Sequence, residues 1–132
     1  MSILRWNPSF NVNIEIIDTQ HQRMFELANI FYSELYKGAS QEILNQKLKE
    51  LVNYSITHFE TEEEMLLKAN HPDLINHARE HKQFIGELNA LSAKVMEGDL
   101  VISAEIISFL RNSIINHIFV SDREMAKYFN KA

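Results

Sequence analysis

Residues 57–66 read THFETEEEML: one histidine and four glutamates on a stretch otherwise suited to a helix. At about 100° per residue, Glu62 lies only about 40° round the helix from His58. Glu60, Glu63 and Glu64 fall on the side or far face and read as solvated charges. The stretch therefore predicts His58 and Glu62 pointing together into the interior, where leucine would pack better. Burying an imidazole beside a carboxylate is costly unless the two are paired or bound to a metal.

Extending outward, His58 and Glu62 belong to a stripe of Leu44, Leu48, Leu51, Ser55 and Met65, spaced alternately by three and four. That spacing marks a helix facing a bundle core. Three more segments carry such a stripe. One runs Ile17, His21, Met24, Ala28, Phe31, Leu35; another Leu74, His77, His81, Phe84, Leu88, Leu91, Val95; the last Ile107, Leu110, Ile114, His117, with Met125 beyond. Breaks fall at YKGAS (36–40), NHPD (70–73) and EGDLVIS (97–103). Gly38 and Gly98 read as stops, Ser40 and Ser103 as N-caps, and Pro72 as a first helical residue. The expected fold is all-α: an antiparallel up-down-up-down four-helix bundle in one domain, residues 1–132. Its helices cover roughly 18–37, 41–69, 73–96 and 104–129. Residues 1–17 form an extended arm whose Trp6, Phe10 and Ile14 pack over one end.

Chain direction gives an independent check on the polar core residues. His21 lies near the start of helix one, and His58 and Glu62 near the end of helix two. His77 and His81 open helix three, and His117 comes late in helix four. In an up-down-up-down bundle these starts and ends share one level. Five histidines and a carboxylate at one level point to a metal site. His71, before Pro72 at a turn, reads as exposed or capping.

Composition narrows the function classes. The chain of 132 residues has six histidines, no cysteine, three glycines and a net charge of −5. Disulfides, thiolate ligands and thiol catalysis are excluded. The acidic balance argues against nucleic-acid binding, which needs a basic footprint. No apolar run reaches membrane-spanning length, and MSILRWNPSF lacks a signal-peptide layout, so a cytoplasmic protein is expected. HAREH (77–81) matches the H-x-x-E-H pattern of one zinc peptidase group, with Glu80 as base. That reading leaves the other polar core residues unexplained. Paired E-x-x-H motifs, a nucleophile elbow and a P-loop are all absent.

The motifs taken together resemble the hemerythrin family, specifically its single-domain bacteriohemerythrins. The resemblance rests on Trp6 and Phe10 in the arm, IDTQH (17–21), HFETEE (58–63), HAREH (77–81) and NHIFVSD (116–122). It implies reversible O2 binding at a non-haem centre of two iron ions (Fe2+/Fe3+) with a bridging oxo or hydroxo. By resemblance His77, His81 and His117 bind one iron and His21 and His58 the other, with Glu62 and Asp122 bridging. One iron then keeps an open position. Met24, Phe25, Phe59 and Ile114 are the expected dry shell.

Asp122 enters by resemblance alone. It is five residues beyond His117, about 140° round an ideal helix, so periodicity by itself points to Ser121 or Glu124. Glu124 sits about 10 Å further along the axis. A local widening of the turn would bring Asp122 inward. Two departures stand out: Ser113 where the family usually has tryptophan, which should leave space beside the pocket, and Asn13 where glycine is common. The implied function is oxygen carriage, storage or delivery to an oxidase by a monomer that is not an enzyme. Alternatives are a di-iron enzyme or sensor acting on nitric oxide, peroxide or O2, and a zinc or manganese site.

Overall fold

The computed structural model describes residues 4–97 and 102–129. Helix α1 spans Glu15–Tyr36, α2 Gln41–Lys68 and α3 Leu74–Met96. The fourth rod is compound: α4 (Ile102–Asn116), a π-helical turn (His117–Asp122) and α5 (Arg123–Phe129). Among the described residues there is no strand. Contacts of α1 with α2, α2 with α3, α3 with α4 and α4 with α1 close the four rods into an antiparallel four-helix bundle.

Local chemistry sets the ends. Gly38, at φ +75°, follows α1, with Ala39 N–H donating to Glu34 O and Gly38 N–H to Leu35 O. Asn70, at φ +51°, does the same after α2, with His71 N–H donating to Leu66 O. Both are left-handed caps that satisfy the last carbonyls of a helix. Ser40 Oγ accepts from Ile43 N–H and caps α2 as expected. Pro72 does not open α3: it lies in the turn, and the helix begins at Leu74. The N–H of His77 already bonds Asp73 O, so the first turn is wound from Asp73 rather than from the proline. Gly98 lies outside the described residues, and Ser103 falls inside α4 rather than before it.

The arm is not an end cap. It includes a 3-10 turn at Pro8–Phe10, and α1 starts at Glu15, three residues earlier than expected. The Asn29 amide clamps both backbone groups of Leu4, donating to its oxygen at 2.7 Å and accepting from its nitrogen at 3.0 Å. The Asp18 carboxylate accepts from the N–H groups of Val12 and Asn13. These ties lay the arm antiparallel along α1, so its aromatic residues cover a flank. Trp6 and Phe10 meet Phe25 edge-on, at 5.2 and 5.3 Å between ring centres. Asn13 has φ +65°, a conformation that asparagine tolerates better than most side chains.

Among the described residues two apolar clusters fill the interior. The larger joins Phe25, Phe31, Leu48, Leu51, Phe59, Phe84, Leu88, Leu110 and Ile114. The smaller joins Val12, Ile17, Leu66, Met125 and Ala126. Three rods pass from one to the other through polar residues: Ile17, His21, Phe25 on α1; Phe59, Glu62, Leu66 on α2; Ile114, His117, Asp122, Met125 on the fourth. The polar level is thus walled by hydrocarbon above and below.

Candidate metal centre

His21, His58, Glu62, His77, His81, His117 and Asp122 all lie at that level, each at most 8% exposed. His58 and Glu62 arrive by ordinary helical phase, with His58 Nε2 and Glu62 Oε2 3.4 Å apart. Asp122 arrives by the widened turn. A π turn adds one residue per loop, so the fifth residue after His117 takes the place the fourth would hold in an α-helix. Ser121, the other candidate of the periodicity, turns outward and donates to Glu80 Oε2 at 2.6 Å. Glu124 is exposed and pairs with Lys127. Glu80, committed to this surface hydrogen bond, does not stand as the base of a zinc peptidase.

The ring tautomers can be worked out from the partners. Thr61 donates its hydroxyl proton to Thr57 O, so it accepts from the Gln20 amide nitrogen. Gln20 Oε1 therefore faces His58 Nδ1, at 2.7 Å, and Nδ1 carries the proton. His81 Nδ1 likewise donates to Glu63 Oε2 at 2.9 Å. Both rings are left with a bare Nε2 facing inward. Glu63 is thus no solvated charge, contrary to the phase reading, and Gln20 lies off the apolar stripe altogether. Both flank the stripe on the side of a neighbouring helix. The usable signal was the rule that an inward imidazole needs an acceptor behind it.

The inward atoms converge and only partly satisfy one another: Asp122 accepts from His21 and His77, and the others are left over. Glu62 Oε1 lies 3.0 Å from His81 Nε2 and 3.3 Å from His117 Nε2. Asp122 Oδ1 lies 3.4 Å from His77 Nε2, and its Oδ2 lies 2.5 Å from His21 Nε2 and 2.9 Å from His117 Nε2. Yet both Glu62 oxygens and the Nε2 atoms of His58, His81 and His117 are buried with no hydrogen-bond partner. Unpaired lone pairs of a buried carboxylate and three imidazoles aimed at a common point are an arrangement that a cation completes.

Charge reinforces this. Burial lowers His58 to about 3 and His81 to about 4, so both rings are neutral donors. Burial, followed by the Asp122 charge, raises Glu62 well above the ordinary carboxylate range. For Asp122 burial acts upward, but the His117 charge and the imidazoles packed around the carboxylate hold it well below that range. Burial acts downward on His117, and the Asp122 and Glu62 charges outweigh it and raise the ring well above the ordinary value.

Two sets of ligand atoms lie within 4.8 Å of one another: His21, His58, Glu62, His117, Asp122, and Glu62, His77, His81, Asp122. Both carboxylates belong to both sets, the relation required of bridges between two ions. His117 groups with His21 and His58 through Asp122 Oδ2, but shares Glu62 Oε1 with His81; it stands between the sets. Met24, Phe25, Phe59 and Ile114 are buried around the level. Ser113 lines a cleft of about 490 Å³ with Phe84, Asn116 and His117. His71 lies apart: its Nδ1 accepts from Asp73 N–H and its ring meets Tyr128 at 4.4 Å.

Comparison with known proteins agrees with the geometry. The family model described as Hemerythrin HHE cation binding domain matches residues 12–129. The bacteriohemerythrin of Stenotrophomonas maltophilia is 30% identical over 96% of this chain and 81% of its own length. That of Clostridium acetobutylicum is 31% identical over 90% of this chain and 95% of its own. A crystal structure of a hemerythrin carrying a single leucine-to-alanine substitution superposes with a TM-score of 0.86 at 25% identity, covering 96% of this chain and 97% of that one.

Proposed function

The chain belongs to the hemerythrin family, and from that premise we propose that it binds O2 reversibly at a non-haem di-iron centre, for carriage, storage or delivery to an oxidase. The observation that carries the reading is the pair of ligand sets sharing Glu62 and Asp122. By the family resemblance His77, His81 and His117 would hold one iron, although the ligand-atom sets group His117 with His21 and His58. His21 and His58 would hold the other, which has one protein ligand fewer and so an open position. When bound, such a centre supplies electrons that can be lent to O2 and recovered on its release.

The chain's own residues do the rest. Gln20 and Glu63 fix the tautomers of His58 and His81, so that Nε2 lone pairs face the ions. Phe59 stacks on His81 at 4.0 Å, and with Met24, Phe25 and Ile114 it keeps water from the level. Exclusion of water and protons favours reversible binding over irreversible oxidation. The reading makes the protein a carrier rather than an enzyme, working as a cytoplasmic monomer. One observation favours a second reading, turnover or sensing of nitric oxide or peroxide: the Ser113 cleft reaches His117 and widens access.

Metal analysis and visible spectra of the purified protein, cycled between deoxygenated and air-equilibrated buffer, test the proposal. Two irons per chain with a band that appears in air and vanishes reversibly are expected. Two irons that oxidise once and do not return would transfer the assignment to turnover or sensing. Absence of iron, or occupation by zinc or manganese, would overturn it.

A further inference from the structure

The inward imidazoles are not held alike from behind. On α3, His81 Nδ1 donates to the Glu63 carboxylate at 2.9 Å, and His77 Nδ1 faces the Asp73 carboxylate at 3.7 Å. On α2, His58 Nδ1 donates to the neutral Gln20 amide. On α1, His21 Nδ1 is buried with no partner. On α3, therefore, an anion is hydrogen-bonded behind His81 and a second carboxylate stands beyond hydrogen-bond distance of His77, whereas a neutral group or none backs the other pair.

Glu63 is also placed unlike its neighbour. Its side chain is 36% exposed, whereas Glu64, paired with Lys68 one turn on, is 65% exposed. Turning inward gives up hydration, so the imidazole is the partner that compensates. The stacked Phe59 ring, within 9° of parallel, fixes the plane of His81, and Glu63 fixes its rotation in that plane. A carboxylate accepting from Nδ1–H also pulls that proton toward itself, which makes Nε2 a stronger donor than an amide acceptor can. The residual negative charge adds to the attraction for any cation at Nε2.

Resting on the di-iron reading above, we propose that Glu63 is a positioning residue that makes the His77–His81 position the tighter of the two metal positions. The His21–His58 position is the one that empties first. The two positions already differ by one histidine, and the unequal backing by Glu63 and Gln20 widens that difference.

The test uses the iron-loaded protein, reduced and anaerobic, challenged with an excess of a ferrous chelator while released iron is counted per chain. Two phases of one ion each are expected. Glu63→Gln keeps an acceptor for Nδ1–H but removes the charge, and should accelerate the slow phase by about ten- to a hundredfold. The fast phase should stay within about twofold of its rate in the unsubstituted protein. Glu63→Asp should restore part of the slow phase, which mere filling of space would not do. Gln20→Glu should slow the fast phase, and it carries the test alone should the Glu63 variants lose their helical circular dichroism. Release of both ions in one phase, or a slow phase unmoved by Glu63→Gln, overturns the proposal while leaving the di-iron reading intact. Fewer than two ions per chain overturns both.

Discussion

Glu62 and Asp122 reach the same level by different routes. Glu62 stands one regular turn after His58 on an unbroken helix of 28 residues. Asp122 stands five residues after His117, at the end of a six-residue π turn set between α4 and α5. The first route is the local geometry of any α-helix. The second requires a hydrogen-bond pattern that isolated chains rarely adopt, and it persists here because both flanks are anchored. Ile114 before it and Met125 after it are buried in different apolar clusters. One residue is accommodated between two fixed packing faces, and the wide turn is how the backbone absorbs it.

If the routes end in equivalent ligands, removing either carboxylate should have the same, largest effect. Glu62→Ala and Asp122→Ala should each reduce bound iron from two ions per chain to one or none, as read by metal analysis. A variant that kept both ions would break the equivalence and strip that residue of its bridging role. Moving the acid sharpens the point. Asp122→Ala combined with Ser121→Asp places a carboxylate at the regular α spacing, yet Ser121 faces Glu80 in the widened turn. Iron content should stay as low as in Asp122→Ala alone; recovery of the second ion would show that the π turn relaxes.

The buried ionisable groups predict a smaller, pH-dependent effect in the iron-free protein. His58 and His81 are lowered to about 3 and about 4, so below pH 6.5 the unfolded chain takes up protons that the folded chain refuses. Each therefore lowers stability progressively as the pH falls through that window. Glu62, raised, works the other way, gaining stability as pH falls towards 4.5. The His117 contribution is already complete below 6.5, and that of Asp122 begins to fade only below 3.8. Between pH 6.5 and 4.5 two histidines oppose one carboxylate, so the net effect is a loss of stability as the pH falls. Denaturant titrations across that range check it, and Glu62→Gln should steepen the slope. The smallest effect concerns the regular route. Ser40→Ala removes the α2 cap and should cost about 1 kcal/mol while leaving both ions bound, because the phase of Glu62 is set by the helix and not by its distant start.

How much of this was legible follows the same division. Gly38, Ser40 and the NHPD turn marked helix ends because capping is local chemistry, and Asn70 rather than Pro72 proved the decisive residue of that turn. The stripes placed His21, His58, Glu62, His77, His81 and His117 at one buried level, because 3.6-residue periodicity holds wherever hydrogen bonding is regular. Asp122 could not be reached that way, and only family likeness named it. Glu63 and Gln20 were passed over because their role depends on which neighbouring helix each flank meets.

The sequence by itself therefore determined four amphipathic helices, their order, and a shared level of histidines, since each follows from repeat and chain direction. The tertiary structure alone decided the inward turn of Asp122, the position of His117 between two ligand sets, and the unequal backing of the imidazoles. Those features are set by contacts between helices, where the energy of one side chain depends on the placement of another.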